Sequence, residues 1–246
     1  MVMAGLTLSF DCYGTLIDWE SGILVAMQPV LRRHEVVCSA GELLRAYARA
    51  ESAVEAGDYR PYREVLRRSF AAMAKDLGFA PQADELETFV ESLPRWQPFP
   101  DTRASLAALQ AAGHRLVILS NVDDDLFAAT AAQLGTRFDK VITAAQVQRY
   151  KPDPAVFRAA RAWLESEHGA ASTAGWVHVA QSRFHDIGVA RSLGLRTVHV
   201  ERASGRDGSA VPEPEPDAQA SPAPDFSVPD LASLVTLVAG WAGAPS

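Results

Sequence analysis

Leu6-Thr7-Leu8-Ser9-Phe10-Asp11-Cys12-Tyr13-Gly14-Thr15-Leu16-Ile17-Asp18 is an apolar run that ends in an aspartate, a glycine turn and a threonine. It reads as a short buried strand, residues 6–10, delivering a carboxylate to the rim of a sheet. Working outward, 115–120 reads as a second strand, after a helix at 102–112 that Gly113 caps. Residues 139–143, 176–180 and 196–200 read as the third to fifth strands, with helical patterns at 124–134, 154–167 and 185–193 between them. Alternating strands and helices predict an α/β fold, a Rossmann-like parallel sheet covered on both faces.

Residues 20–97 break this rhythm with four helical patterns, at 20–35, 40–56, 60–77 and 82–93. They read as a helical insertion after the first strand, and Pro94, Pro98 and Pro100 mark the return to the sheet. The expected division is a core of 1–18 and 98–246 and a helical cap of 19–97. Residues 204–225, rich in Pro, Ala, Ser, Gly and acid, read as a mobile loop within the core, and 228–242 as a last amphipathic helix.

The net charge of −7 disfavours nucleic acid as a partner, because phosphate binding needs a basic surface. No 18-residue apolar run predicts a membrane span, and the first residues lack the basic region of a signal peptide. Two cysteines, Cys12 and Cys38, offer neither a disulfide framework nor a Cys-rich metal site, so a cytoplasmic protein is expected. Asparagine occurs once, at Asn121, and lysine three times, once at Lys151. Types this scarce tend to sit where chemistry demands them.

Asp11-x-Tyr13-Gly14-Thr15 resembles the first motif of the haloacid dehalogenase superfamily. Ser120-Asn121, Lys151-Pro152-Asp153 and Gln181-Ser182-x-x-His185-Asp186 follow in the family's order, each after a strand. In open parallel sheets, ligands bind outside these carboxyl ends. The resemblance implies Asp11 as a nucleophile that forms an ester, with Thr15, Ser120, Asn121, Lys151 and Asp186 as its catalytic partners. It also implies a cap over the site and a homodimer.

Phosphatases of the superfamily carry an acid where Tyr13 stands, to protonate a poor leaving group. They also carry an acidic pair in the fourth motif to hold Mg²⁺, and Gln181 replaces its first member. A halide leaves without a proton. The Asp-x-Tyr-Gly-Thr form is similar to the L-2-haloacid dehalogenase branch, which implies no cofactor and a small organic acid as substrate. Cys12, Tyr13, Gln181, Ser182 and His185 are then expected at the substrate, with the main-chain N–H groups near Cys12, Tyr13 and Asn121 holding its carboxylate. Asp186 or His185 would activate water.

The shell departs from that branch. Its cap arginine for the halide has no counterpart near Glu51-Ser52-Ala53-Val54, leaving Arg60 and Arg63 as candidates. A tyrosine six residues past the lysine is Phe157, and Ser-Ser-Asn of the fourth motif is Ala180-Gln181-Ser182. Two other readings stand beside the dehalogenase: a Mg²⁺-dependent phosphatase, with Asp11, Tyr13 and Asp186 at the metal, and a non-catalytic relative that binds a small acid.

Overall fold

The chain is described by a computed structural model over residues 5–202 and 222–242. Its first strand, β1 (Thr7–Phe10), is buried along its whole length. That burial is why the opening run is nearly continuous in apolar residues rather than alternating. The other strands are β2 (Arg115–Ser120), β3 (Lys140–Thr143), β4 (Trp176–Ala180), β5 (Arg196–Val200) and β6 (Phe226–Val228). All pair in parallel, in the order β3-β2-β1-β4-β5-β6. The sheet is the expected α/β arrangement. The order reverses at β1, and a crevice opens there beyond the strand ends.

Side chains alternate across the sheet with period two. Leu8, Phe10, Ile118 and Val179 join one apolar cluster, while Val117, Leu119, Ile142 and Trp176 join the other. Helices α5 (Thr102–Ala111), α6 (Asp124–Leu134), α7 (Ala144–Val147), α8 (Ala155–His168), α9 (Gly188–Ser192) and α10 (Leu231–Ala242) follow the strands.

Between β1 and β2 lie α1 (Trp19–Arg33), α2 (Ala40–Glu55), α3 (Tyr62–Asp76) and α4 (Ala83–Ser92). Their ends follow from local chemistry. Asp18 accepts from Ser21 N at the start of α1, and Ser39 and Glu42 form a capping box on α2. Gly22 lets α1 approach Trp96, since a Cβ there would lie 2.3 Å from the indole ring. The start of α3 is capped by a residue after β2: Asp123 accepts from Tyr62 N at 2.8 Å and from Arg63 N at 3.1 Å. The helical insertion is thereby tied to the sheet directly over the crevice.

Three details differ from the sequence expectations. The sixth strand, β6, has only three residues and among the described residues pairs with β5 alone, too short to show a period. The last helix begins at Leu231 rather than at 228. The helix expected at 185–193 starts as a π-turn over Arg183–Ile187 before α9. Most of the loop expected at 204–225 lies outside the described residues. No helix among the described residues is long and apolar enough to cross a membrane.

Candidate active site

The β1–β4 ladder runs one residue past the strand, with Asp11 N donating to Val179 O at 3.1 Å. This fixes the Asp11 backbone at the crevice. Gly14 then turns the chain at φ +95°, a conformation that side-chain-bearing residues rarely adopt. The turn brings Thr15 back, and its hydroxyl donates to Asp11 Oδ2 at 2.8 Å. Thr15 Oγ1 in turn accepts from Gln181 N at 3.0 Å, which joins the turn after β1 to the turn after β4. Arg202 Nε holds the Thr15 carbonyl from the far side, at 2.9 Å.

Lys151 is almost wholly buried and spends its ammonium on three acceptors. They are Asp11 Oδ1 at 2.8 Å, Asp186 Oδ1 at 2.7 Å and Leu119 O at 3.0 Å. Asn121 clamps the Lys151 main chain from both sides, accepting from its N–H at 2.8 Å and donating to its C=O at 3.2 Å. Its amide thus positions the lysine. Asp186 also accepts a contact from His178 Nε2 at 3.0 Å.

The charges follow from these contacts. Despite burial, Lys151 and His178 pull the Asp186 carboxyl down to about 2. Burial raises Asp11 above the ordinary carboxylate value, against the pull of Lys151. Lys151 is raised by its two carboxylates in spite of its own burial. One ammonium therefore serves two carboxylates. Asp186 ionises first, and Asp11 follows at higher pH.

These groups line a cavity of about 70 Å³. Pockets for drug-sized ligands are several times larger, about 300–1,000 Å³. Ser120 lies on its wall, and its hydroxyl is buried with no partner among the described residues. A buried unpaired hydroxyl at a cavity is a donor left for a ligand.

The family model for a haloacid dehalogenase-like hydrolase matches residues 7–170. This chain is a haloacid dehalogenase-like hydrolase. It is 30% identical to an (S)-2-haloacid dehalogenase of Xanthobacter autotrophicus, over 96% of this chain and 95% of that one. It is 26% identical to (S)-2-haloacid dehalogenase 1 of Pseudomonas sp. (strain CBS-3), over 78% and 83%. The solved L-2-haloacid dehalogenase from Xanthobacter autotrophicus superposes with a TM-score of 0.76, at 26% identity, covering 96% of this chain and 99% of that one. A second structure of that enzyme, with chloropropionic acid covalently bound, gives the same score.

The remaining candidates of this hydrolase are distributed as follows. Tyr13, Gln181, Ser182 and His185 line the cavity with Asp11, Ser120, Asn121, Lys151 and Asp186. The Tyr13 hydroxyl pairs with Thr130 Oγ1 at 2.9 Å rather than with Asp11. Burial raises its phenol well above the ordinary value, so it stays protonated. Burial also lowers His185 to about 4, which leaves a neutral imidazole near pH 7.

Three candidates lie elsewhere. The Cys12 side chain is fully buried in the apolar core, and only its main chain belongs to the turn. Arg63 reaches Asp125 in an exposed ion pair at 2.5 Å. Arg60 contributes its carbonyl to Tyr150, at 2.7 Å, and does not line the cavity. Arg60 precedes α3, and Arg63 belongs to its first turn, whose N–H groups are drawn onto Asp123.

Where an arginine was expected from the insertion, α2 supplies acids. Glu51 and Glu55 both line the cavity. Glu51 Oε1 accepts from Tyr62 at 2.7 Å and Tyr47 at 3.0 Å, and Asn121 Nδ2 lies 3.4 Å from Glu55 Oε2. Burial raises both, and Glu51 raises Glu55 further. Their signal was present in the sequence: Leu44, Tyr47, Ala48, Glu51 and Glu55 fall on one helical stripe, apolar until the two acids.

The donor set suits Mg²⁺ poorly. The carboxylates that would hold it, Asp11 and Asp186, already share the Lys151 ammonium. Tyr13 and Gln181 add no charge. No group of three or more His, Cys, Asp or Glu among the described residues is arranged to hold a metal.

Proposed function

We propose that this hydrolase removes halide from small 2-haloacids through an ester on Asp11, giving 2-hydroxy acids. The observation that carries this reading is the pairing of an intact Asp11–Lys151–Asp186 centre with Tyr13 and Gln181 at the positions where phosphate chemistry needs acids. A carboxylate displaces halide from the α-carbon without a proton donor for the leaving group, because halide departs as a stable anion. The covalently bound chloropropionic acid in the Xanthobacter autotrophicus enzyme is the chemistry expected of such a carboxylate.

In this reading Asp11 attacks, Thr15 and Lys151 hold it in line, and Asn121 fixes Lys151. The free hydroxyl of Ser120 takes the substrate carboxylate, helped by the main-chain N–H groups around Cys12, Tyr13 and Asn121. Water then attacks the Asp11 ester carbonyl, guided by Asp186 with neutral His185 beside it. Residues 19–97 act as the cap, and no metal takes part. Two free cysteines support placement in a reducing cytoplasm.

Glu51 and Glu55 are compatible with an anionic substrate only as neutral acids. Their burial favours that form. A protonated carboxyl donates a hydrogen bond, as a departing halide or a carboxylate requires. The test is hydrolysis of L-2-chloropropionate in EDTA against hydrolysis of phenyl phosphates with Mg²⁺. Halide release in EDTA is expected. Phosphate release that depends on Mg²⁺, with no halide release, would contradict it.

A further inference from the structure

His178 is fully buried in the middle of β4, opposite Ser9 of β1 in the sheet register. A histidine inside a strand is usually a packing residue, yet this one stands in an ordered polar chain. Trp176 Nε1 lies 2.7 Å from Ser9 Oγ, and Ser9 Oγ lies 2.9 Å from His178 Nδ1. His178 Nε2 lies 3.0 Å from Asp186 Oδ1. The ring edge of Phe157 packs on the imidazole, at 4.8 Å between centroids.

The direction of the chain follows from its first member. An indole N–H can only donate, so Ser9 Oγ accepts from Trp176. The Ser9 proton then has two acceptors, His178 Nδ1 at 2.9 Å and Val177 O at 3.4 Å. The shorter contact makes Nδ1 the acceptor, which puts the imidazole proton on Nε2, facing Asp186. Asp186 Oδ1 thus receives two donors, Lys151 and His178. Its Oδ2 has no hydrogen bond to the described residues, and Asp186 borders the cavity.

We infer that His178, with its tautomer set by Ser9 and Trp176, is a positioning residue for ester hydrolysis: it holds Asp186 Oδ1 so that Oδ2 faces the attacking water. The inference rests on the ester mechanism above. As the water oxygen bonds to the Asp11 carbonyl carbon, Asp186 Oδ2 takes the water proton. The bond between the Asp11 carbonyl carbon and the ester oxygen then breaks, Asp186 returns that proton to the departing oxygen of the 2-hydroxy acid, and the second water proton is lost from the regenerated Asp11 carboxyl to solvent. Halide displacement uses Asp11 and Lys151 and does not need Oδ2. Loss of His178 should therefore slow the second step and spare the first.

The experiment mixes wild type, His178→Leu, His178→Gln and Ser9→Ala with excess L-2-chloropropionate. It follows halide release on the millisecond scale and the mass of the Asp11 peptide after quenching. His178→Leu should keep a halide burst close to one per site, turn over about 10- to 100-fold more slowly and accumulate the ester. The amide of His178→Gln can donate to Asp186 and should restore part of the turnover. Ser9→Ala leaves the ring in place and should show the same accumulation in milder form, which guards against a folding defect in His178→Leu. Unchanged turnover in both His178→Leu and Ser9→Ala, or equal slowing of burst and turnover in folded Ser9→Ala, overturns the inference. No adduct in any variant, together with no solvent ¹⁸O entering Asp11 of wild type in a single turnover, overturns the ester mechanism and this inference with it.

Discussion

The hydroxyl of Tyr13 lies 2.9 Å from Thr130 Oγ1, so the residue that stands where a phosphatase keeps its acid is anchored to α6. Its protonated phenol serves as a wall of the cavity, with its ring edge-on to Trp96 at 6.1 Å. Tyr13→Phe should leave kcat on a 2-haloacid within a few-fold of wild type. It should cost about 1 kcal/mol in urea unfolding, the usual net worth of one such hydrogen bond. A loss of turnover with unchanged stability would mean that the hydroxyl acts in the chemistry.

Lys151 faces two buried carboxylates, so removing its charge does more than silence the nucleophile. Lys151→Met should abolish turnover and also destabilise the fold, by about 3–5 kcal/mol, because Asp11 and Asp186 are left uncompensated. Asp11→Asn in the same background removes one of those charges and should recover part of the stability without activity. Thermal melts of the three proteins check the order.

The pH profile follows from which groups are raised. Asp11 must be ionised to attack, and burial raises it, so the acid limb of kcat/KM should lie above the ordinary carboxylate range. Glu51 and Glu55 are raised as well, and their ionisation at higher pH would place negative charge against an anionic substrate. The alkaline side should therefore show rising KM. Glu55→Gln keeps the donor and cannot ionise, so it should flatten that rise. Asp186 behaves oppositely: its carboxyl is lowered to about 2, so the stability it contributes is complete above its ordinary value of 3.8 and is lost as pH falls toward 2.

Gly22 carries a packing constraint that its place inside α1 hides. An added Cβ would lie 2.3 Å from the Trp96 ring. Helix propensity alone would favour alanine there, yet Gly22→Ala should destabilise by about 1–3 kcal/mol, the usual cost of overpacking. A stabilised variant in chemical denaturation would show that Trp96 moves aside freely.

Five of the strands were legible because they are largely buried and the helices between them keep a 3.6 period, while β6, three residues long and mostly exposed, was not. Asp11, Ser120, Lys151 and Asp186 were legible because each follows a strand and the strands are parallel, so their ends converge. The cap side of the cavity was harder to read. Which face of a helix meets the crevice depends on how its first turn is held, and Asp123, 60 residues beyond Arg63, sets that for α3. Arg60 and Arg63 were candidates by proximity in sequence alone and do not line the cavity, while Glu51 and Glu55, which do, were not singled out. His178 was not among the site candidates, since its partner Ser9 meets it only through the β1–β4 register and Asp186 only through the turn after β4.

The central claim is that Asp11 becomes an ester during turnover. Enzyme in molar excess over L-2-chloropropionate, reacting once in H₂¹⁸O, tests it directly. The account predicts a 2-hydroxy acid whose new oxygen is ¹⁶O, with one ¹⁸O in the peptide that carries Asp11. Product labelled with ¹⁸O and an unlabelled Asp11 would mean that water attacks the substrate itself, and would contradict it.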